Sequence, residues 1–127
     1  MPHSSFPQRK ILVVDDEPLV CEAVEMMLRF DGHEVITAGS GKEALAMLER
    51  EKFDVVITDF AMPGMKGDEL AATIKARNPA QPVVMITAYA EMLPQPLAGV
   101  DCLVSKPFLL ENLREALIKV SPPAKTG

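Results

Sequence analysis

Five short apolar runs punctuate the chain: Ile11–Val14, Val35–Ala38, Val55–Thr58, Val83–Thr87 and Cys102–Ser105. Each is four or five residues long and rich in Val and Ile. Continuous apolar runs of that length suit strands buried on both faces. The segments between them carry the helix period. Val20, Ala23, Val24, Met27 and Leu28 fall at i, i+3, i+4, i+7 and i+8, the spacing of one helix face. Pro18 suits the first turn of that helix and Gly32 stops it. Ser40 and Glu43 form a capping box ahead of Ala44, Leu45 and Leu48. A third segment carries Leu70, Ala71 and Ile74 and ends before Pro79. The last carries Leu110, Leu113, Leu117 and Val120. Between the fourth and fifth runs the pattern fails, because Pro94 and Pro96 lie where a helix interior would be. This alternation predicts an α/β fold: a doubly wound, five-stranded parallel sheet with right-handed crossovers.

With 127 residues the chain has room for one domain. Residues 10–120 carry the pattern, and residues 1–9 and 121–127 read as flexible tails, polar and holding four of the 11 prolines. Thirteen basic against 18 acidic residues leave a net charge of −5. That balance argues against nucleic acid or an anionic membrane surface as a partner. No apolar run approaches the ~18 residues of a membrane span, and Met1–Arg9 has no apolar stretch to act as a signal sequence. Cys21 and Cys102 sit in apolar segments and make no disulfide framework, which suits a reducing cytoplasm.

The strand ends carry the chemistry. The first run is followed by Asp15, Asp16 and Glu17, the third by Asp59; the fourth ends in Thr87 and the fifth in Ser105 followed by Lys106. In an open α/β sheet the site lies outside the carboxyl ends of the strands, near the switch point of strand order. Carboxylates converging there repel, and a hard divalent cation with oxygen ligands relieves the repulsion; Mg²⁺ is the ordinary choice in cytoplasm. A single strand-end Asp is more often solvated or a helix cap, and Asp16 is placed to cap the helix before Pro18. The joint occurrence at four strand ends argues against that reading. Carboxylates, a hydroxyl and a lysine beside Mg²⁺ make a phosphoryl-transfer site, with Asp as nucleophile. No P-loop is present, and Gly39–Gly41 lacks the dinucleotide fingerprint.

Taken together, ILVVDDEP at 11–18, DVVITDFAMPGMKG at 54–67, MITA at 85–88 and SKPF at 105–108 resemble the receiver domain of bacterial two-component response regulators. The resemblance runs from about Lys10 to Val120. It implies a flavodoxin-like (βα)5 fold in which Asp59 accepts a phosphoryl group from a phosphohistidine on a sensor histidine kinase or histidine phosphotransfer protein. It implies a Mg²⁺ site on Asp15, Asp16 and Asp59, with Asp16 direct, Asp15 largely through water, and the Ala61 backbone carbonyl completing the set. Thr87 becomes the hydroxyl that reports phosphorylation. Lys106 pairs with the acceptor and precedes a cis bond to Pro107. Such a chain is a phosphoacceptor rather than a dedicated enzyme. With seven residues after Val120, a single-domain regulator is expected, one that signals by protein contact to a downstream partner or serves as a relay or phosphate sink. Two other readings are weaker. A Mg²⁺-dependent aspartyl-nucleophile phosphatase would want Asp-x-Asp and a cap insertion, whereas Asp15 and Asp16 are adjacent and no cap exists. A phosphorylation-independent binding module fits poorly with an intact Asp59, Thr87 and Lys106.

Three features depart from the family pattern. Leu103 stands where an aromatic ring usually lies three residues before the lysine, and Tyr89, the one tyrosine, is either its substitute or a rim aromatic. The segment from Thr87 to Lys106 is short, so the fourth helix is expected to be truncated or irregular and the output face altered. The last helix opens Phe108-Leu109-Leu110. Leu109 either fills space left by the missing helix, the preferred reading, or forms an apolar patch for a homodimer or another partner. Pro63 and Gly64 shape the loop after Asp59, and Gly67 permits close backbone approach. Ala61 offers no side chain to orient an attacking water, which predicts slow self-dephosphorylation. Met62, His3, His33 and both cysteines read as structural.

Overall fold

The structure, a computed structural model, describes residues 8–93 and 97–120. Residues 1–7 and 121–127, which make up most of the two expected tails, lie outside the described residues, as do Pro94 and Pro96. The elements run β1 (Lys10–Val14), α1 (Pro18–Phe30), β2 (Glu34–Ala38), α2 (Gly41–Arg50), β3 (Val55–Asp59), α3 (Gly67–Arg77), β4 (Val83–Thr87), a 3₁₀ turn (Ala90–Met92), β5 (Cys102–Ser105) and α4 (Leu110–Val120). All strand pairs are parallel, in the order β2-β1-β3-β4-β5. Strand order therefore reverses between β1 and β3, the switch point of a doubly wound sheet.

Alternation along each strand sends side chains to two separate cores. Ile11, Val13, Ile57, Val84 and Ile86 pack with Val24 and Leu28 of α1 and Leu113 and Leu117 of α4. Leu12, Val14, Val56 and Val83 pack with Ala44 of α2 and Leu70, Ala71 and Ile74 of α3. The sequence boundaries hold to within a residue or two. Pro18 occupies the first turn of α1, and Gly32 follows its end with φ +91°. At α2 the Glu43 N–H donates to Ser40 Oγ at 3.1 Å, while the Glu43 carboxylate reaches back past Ser40 to the Gly39 N–H at 2.8 Å.

At the opposite end of the sheet from the strand-end acids, polar groups lock the helices together. The buried Asp31 carboxylate accepts two hydrogen bonds from Arg114, each 2.7 Å, which tie the end of α1 to α4. Buried His33 accepts the Arg9 N–H on Nδ1 at 3.0 Å.

The described part of the β4–β5 connection matches the expectation of a truncated or irregular fourth helix. Its described residues hold only the one 3₁₀ turn. It is nonetheless fastened: Gly99, at φ +82°, lies where a Cβ would come within 3.1 Å of the Ala71 backbone in α3. Next to it, the Asp101 carboxylate accepts from Val83 N–H at 2.8 Å and Lys75 Nζ at 2.7 Å. The preferred reading of Leu109 does not hold. At 65% exposed, Leu109 lies at the surface and fills no space in the core. No helix among the described residues is long and apolar enough to cross a membrane.

Candidate functional site

Register brings the expected residues together. Val14 of β1 lies opposite Thr58 of β3, so Asp15 and Asp59, the next residues on each strand, emerge side by side. One oxygen each of Asp15, Asp16 and Asp59 lie within 4.8 Å of one another. Asp15 and Asp59 are buried and Asp16 is exposed, so the cluster has a floor and an open side. Asp16 does not cap α1. Glu17 occupies that position without a side-chain bond, and Asp15 Oδ1 instead accepts the Glu17 N–H at 2.9 Å.

Thr87 and Ser105 are paired across β4 and β5, which places Lys106 just beyond the hydroxyl. Lys106 Nζ lies 2.6 Å from Asp59 Oδ1, and the Lys106–Pro107 bond is cis. The Thr87 hydroxyl oxygen accepts the Tyr89 N–H at 2.9 Å. Tyr89 itself is 52% exposed, a rim aromatic whose backbone, rather than its ring, touches the site.

The electrostatics follow from crowding. Burial pushes the Asp15 carboxyl up to about 6, opposed by the Glu17 N–H and reinforced by the charge of Asp59. Burial also works against charge on Lys106. The hydrogen bond and charge of Asp59, with Asp15 and Glu17 behind it, outweigh that and hold the ammonium above the ordinary lysine range. Three carboxylates share one lysine, and their donor set is all hard oxygen. These residues fit a small divalent cation such as Mg²⁺.

The loop from Asp59 to Gly67 is closed at its neck. The Gly67 N–H donates to the Phe60 carbonyl at 2.9 Å, and Phe60 N–H to Ile86 at 3.0 Å. A Cβ on Gly67 would lie 2.3 Å from the Asp59 carbonyl oxygen, so only glycine fits against the acceptor's backbone. Gly64 turns the loop at φ +79°, and Met62, 4% exposed, is core as expected. Sequence reading did not find two contacts here: the Tyr89 N–H on Thr87, and Met65 seated on Gly41. Both depend on loop backbone, which leaves no periodic signal.

Comparison with known proteins agrees with this arrangement. A family model described as the response regulator receiver domain matches residues 11–118. The chain is 39% identical over 117 residues to chemotaxis protein CheY-3 of Vibrio cholerae, covering 87% of this chain and 90% of that one. It is 39% identical over 106 residues to the probable transcriptional regulatory protein TcrX of Mycobacterium tuberculosis, covering 81% of this chain but 45% of the relative. Of the transcriptional regulatory protein GlrR of Escherichia coli it spans 27%. The crystal structure of response regulator protein TrrA of Thermotoga maritima in complex with Mg²⁺–BeF superposes with a TM-score of 0.82 at 34% identity, covering 89% of this chain and 99% of that one.

Proposed function

The chain belongs to the response regulator receiver domains, and from that premise we propose that Asp59 accepts a phosphoryl group from a phosphohistidine partner in the cytoplasm, at a Mg²⁺ site formed by Asp15, Asp16, Asp59 and the Ala61 carbonyl. Residues 10–120 form the receiver unit in this reading. The observation that carries it is the 2.6 Å contact of Lys106 with Asp59 inside a cluster of three carboxylates. Bound Mg²⁺ would supply charge neutralisation on the transferring oxygens. An Asp59 carboxylate oxygen attacks phosphorus, a P–O bond forms, and the P–N bond to the partner's imidazole breaks. Lys106 is held charged beside the oxygens that gain negative charge. Thr87 offers its hydroxyl to one of them.

A partner must reach Asp59 from the open side of the cluster. An exposed apolar stripe begins there. Leu19, Ala23, Met26 and Phe30 follow one line along α1, and Leu19, Met26 and Phe30 are 78%, 70% and 78% exposed. Such a stripe fits the helical surface of a histidine kinase or phosphotransfer protein. TrrA has been crystallised in complex with histidine kinase ThkA, and the chain superposes on that structure with a TM-score of 0.81 at 34% identity. Output then passes to a downstream protein, or the domain relays or drains phosphoryl groups.

Asp59→Asn is expected to abolish Mg²⁺-dependent labelling by acetyl phosphate, read by phosphate-affinity electrophoresis. Retained labelling would assign the acceptor elsewhere.

A further inference from the structure

The loop that joins Asp59 to α3 carries Ala61, yet its two halves are held differently. The near half is buried through Met62, and the neck is closed by Gly67 and Phe60. The far half, Pro63 to Lys66, turns through Gly64, and one of its side chains is seated on the start of α2. That side chain is Met65. It lies on the backbone of Gly41 so closely that an ideal Cβ there would stand 2.8 Å from Met65 Sδ and 3.1 Å from both Met65 Cβ and Cγ. Those last two atoms are the root of the side chain, so no swing of its tip would make room. Gly41 is itself fixed. It opens α2 just behind Ser40, whose hydroxyl caps the helix, and its neighbour Gly39 is bonded to Glu43. Met65 also packs against the core under α2 and α3. The far half of the loop thus takes its position from the start of α2, through Met65, as well as from the Lys66 N–H, which donates to Glu69 Oε1 at 3.1 Å where α3 begins.

We propose that Met65, seated on Gly41, is a positioning residue for the divalent cation: it sets the course of the loop that presents the Ala61 carbonyl beside Asp59. This rests on the cation site described above. A backbone carbonyl has no rotamer with which to seek a metal, so its placement is only as good as the anchoring of its loop. Outer groups that orient metal ligands typically change affinity by ~10-fold or more when removed. Neither Met65 nor Gly41 carries a charge, so the effect is purely geometric and leaves the carboxylates untouched.

The test is titration of the folded chain with MgCl₂, followed by amide chemical shifts, on wild type, Met65→Ala, Met65→Leu, Gly41→Ala and the Gly41→Ala/Met65→Ala pair. Melting without divalent cation reports folding separately. Met65→Ala is expected to weaken Mg²⁺ binding by ~10-fold, and Met65→Leu to restore it. Gly41→Ala, whose added Cβ collides with the root of Met65, should also weaken binding, and the double variant should lose less than the sum of the singles, since both changes act on one contact. Equal Mg²⁺ affinity in wild type and a folded Met65→Ala would overturn the inference, as would fully additive losses in the double variant. A wild-type chain that binds no Mg²⁺ would overturn the cation site itself, and this inference with it.

Discussion

Gly67 shows how little freedom the acceptor has. Any side chain there meets the Asp59 carbonyl at 2.3 Å, and backbone cannot step aside as a flexible tip would. Gly67→Ala should therefore cost about 1–3 kcal/mol as overpacking does, measured by denaturant unfolding. Its labelling by acetyl phosphate should fall even at temperatures where the variant is folded. Unchanged stability would show that β3 and α3 can part without penalty. At this scale the sequence was informative where chemistry needs a particular atom: Asp15, Asp16, Asp59, Thr87 and Lys106 were all legible, because the ends of parallel strands must converge. Met65 was not legible, since its role depends on which helix start lies beneath it.

Among the elements, the β4–β5 connection matters most. Its near end begins where the Thr87 hydroxyl holds the Tyr89 N–H at 2.9 Å, directly before the 3₁₀ turn. Its far end is fastened by Gly99 against α3 and by Asp101 between Val83 and Lys75. If the Thr87 oxygen swings toward a phosphoryl group, its bond to the Tyr89 N–H is broken, and the near end is then expected to move while the fastened far end stays. Leu103 in β5 has no ring to turn, so the expectation is that a change at Thr87 reaches this backbone bond. Addition of beryllofluoride and Mg²⁺ should shift the amides of Tyr89 and Ala90–Met92 and speed their hydrogen exchange, while Asp101 and Lys75 change little. Large shifts at Asp101 with none at Tyr89 would refute this route. The strands and four helices were readable from apolar period and caps. The connection was readable only as a negative, through its two prolines, because its fastening comes from an αL glycine and a carboxylate that no repeat announces.

For the whole molecule, the two ends of the sheet respond to pH in opposite senses. Asp15 titrates near 6 when folded, above the ordinary carboxylate value of 3.8. Folding therefore favours its protonated form. The cost of ionising it is absent below about 3.8 and complete above about 6, so this end loses stability as pH rises through that window. At the other end burial pulls His33 below its ordinary 6.5, moderated by Asp31. The neutral ring is favoured, and this end loses stability as pH falls below 6.5. Asp31, held low by its bonds to Arg114, adds a further loss only below the usual carboxylate range. The pH dependence of the wild-type melting temperature should therefore carry two opposed contributions below about pH 6.5, Asp15 stabilising and His33 destabilising toward acid. In divalent-free buffer Asp15→Asn should melt higher than wild type above about pH 6, and the gain should vanish near pH 4. A melting difference that grew toward acid would contradict the assignment.

A cell that runs many receivers on the same chemistry faces a wiring problem, since their phosphoryl groups are interchangeable and only their surfaces differ. The single 3₁₀ turn between β4 and β5 bears on that problem. Among the described residues of this connection there is no α-helix for a target to grip, so a target here would have to read the fastened loop instead. A surface that differs from its neighbours by what it lacks can separate one channel from another while the reaction centre stays as it is, because specificity is a difference of affinities.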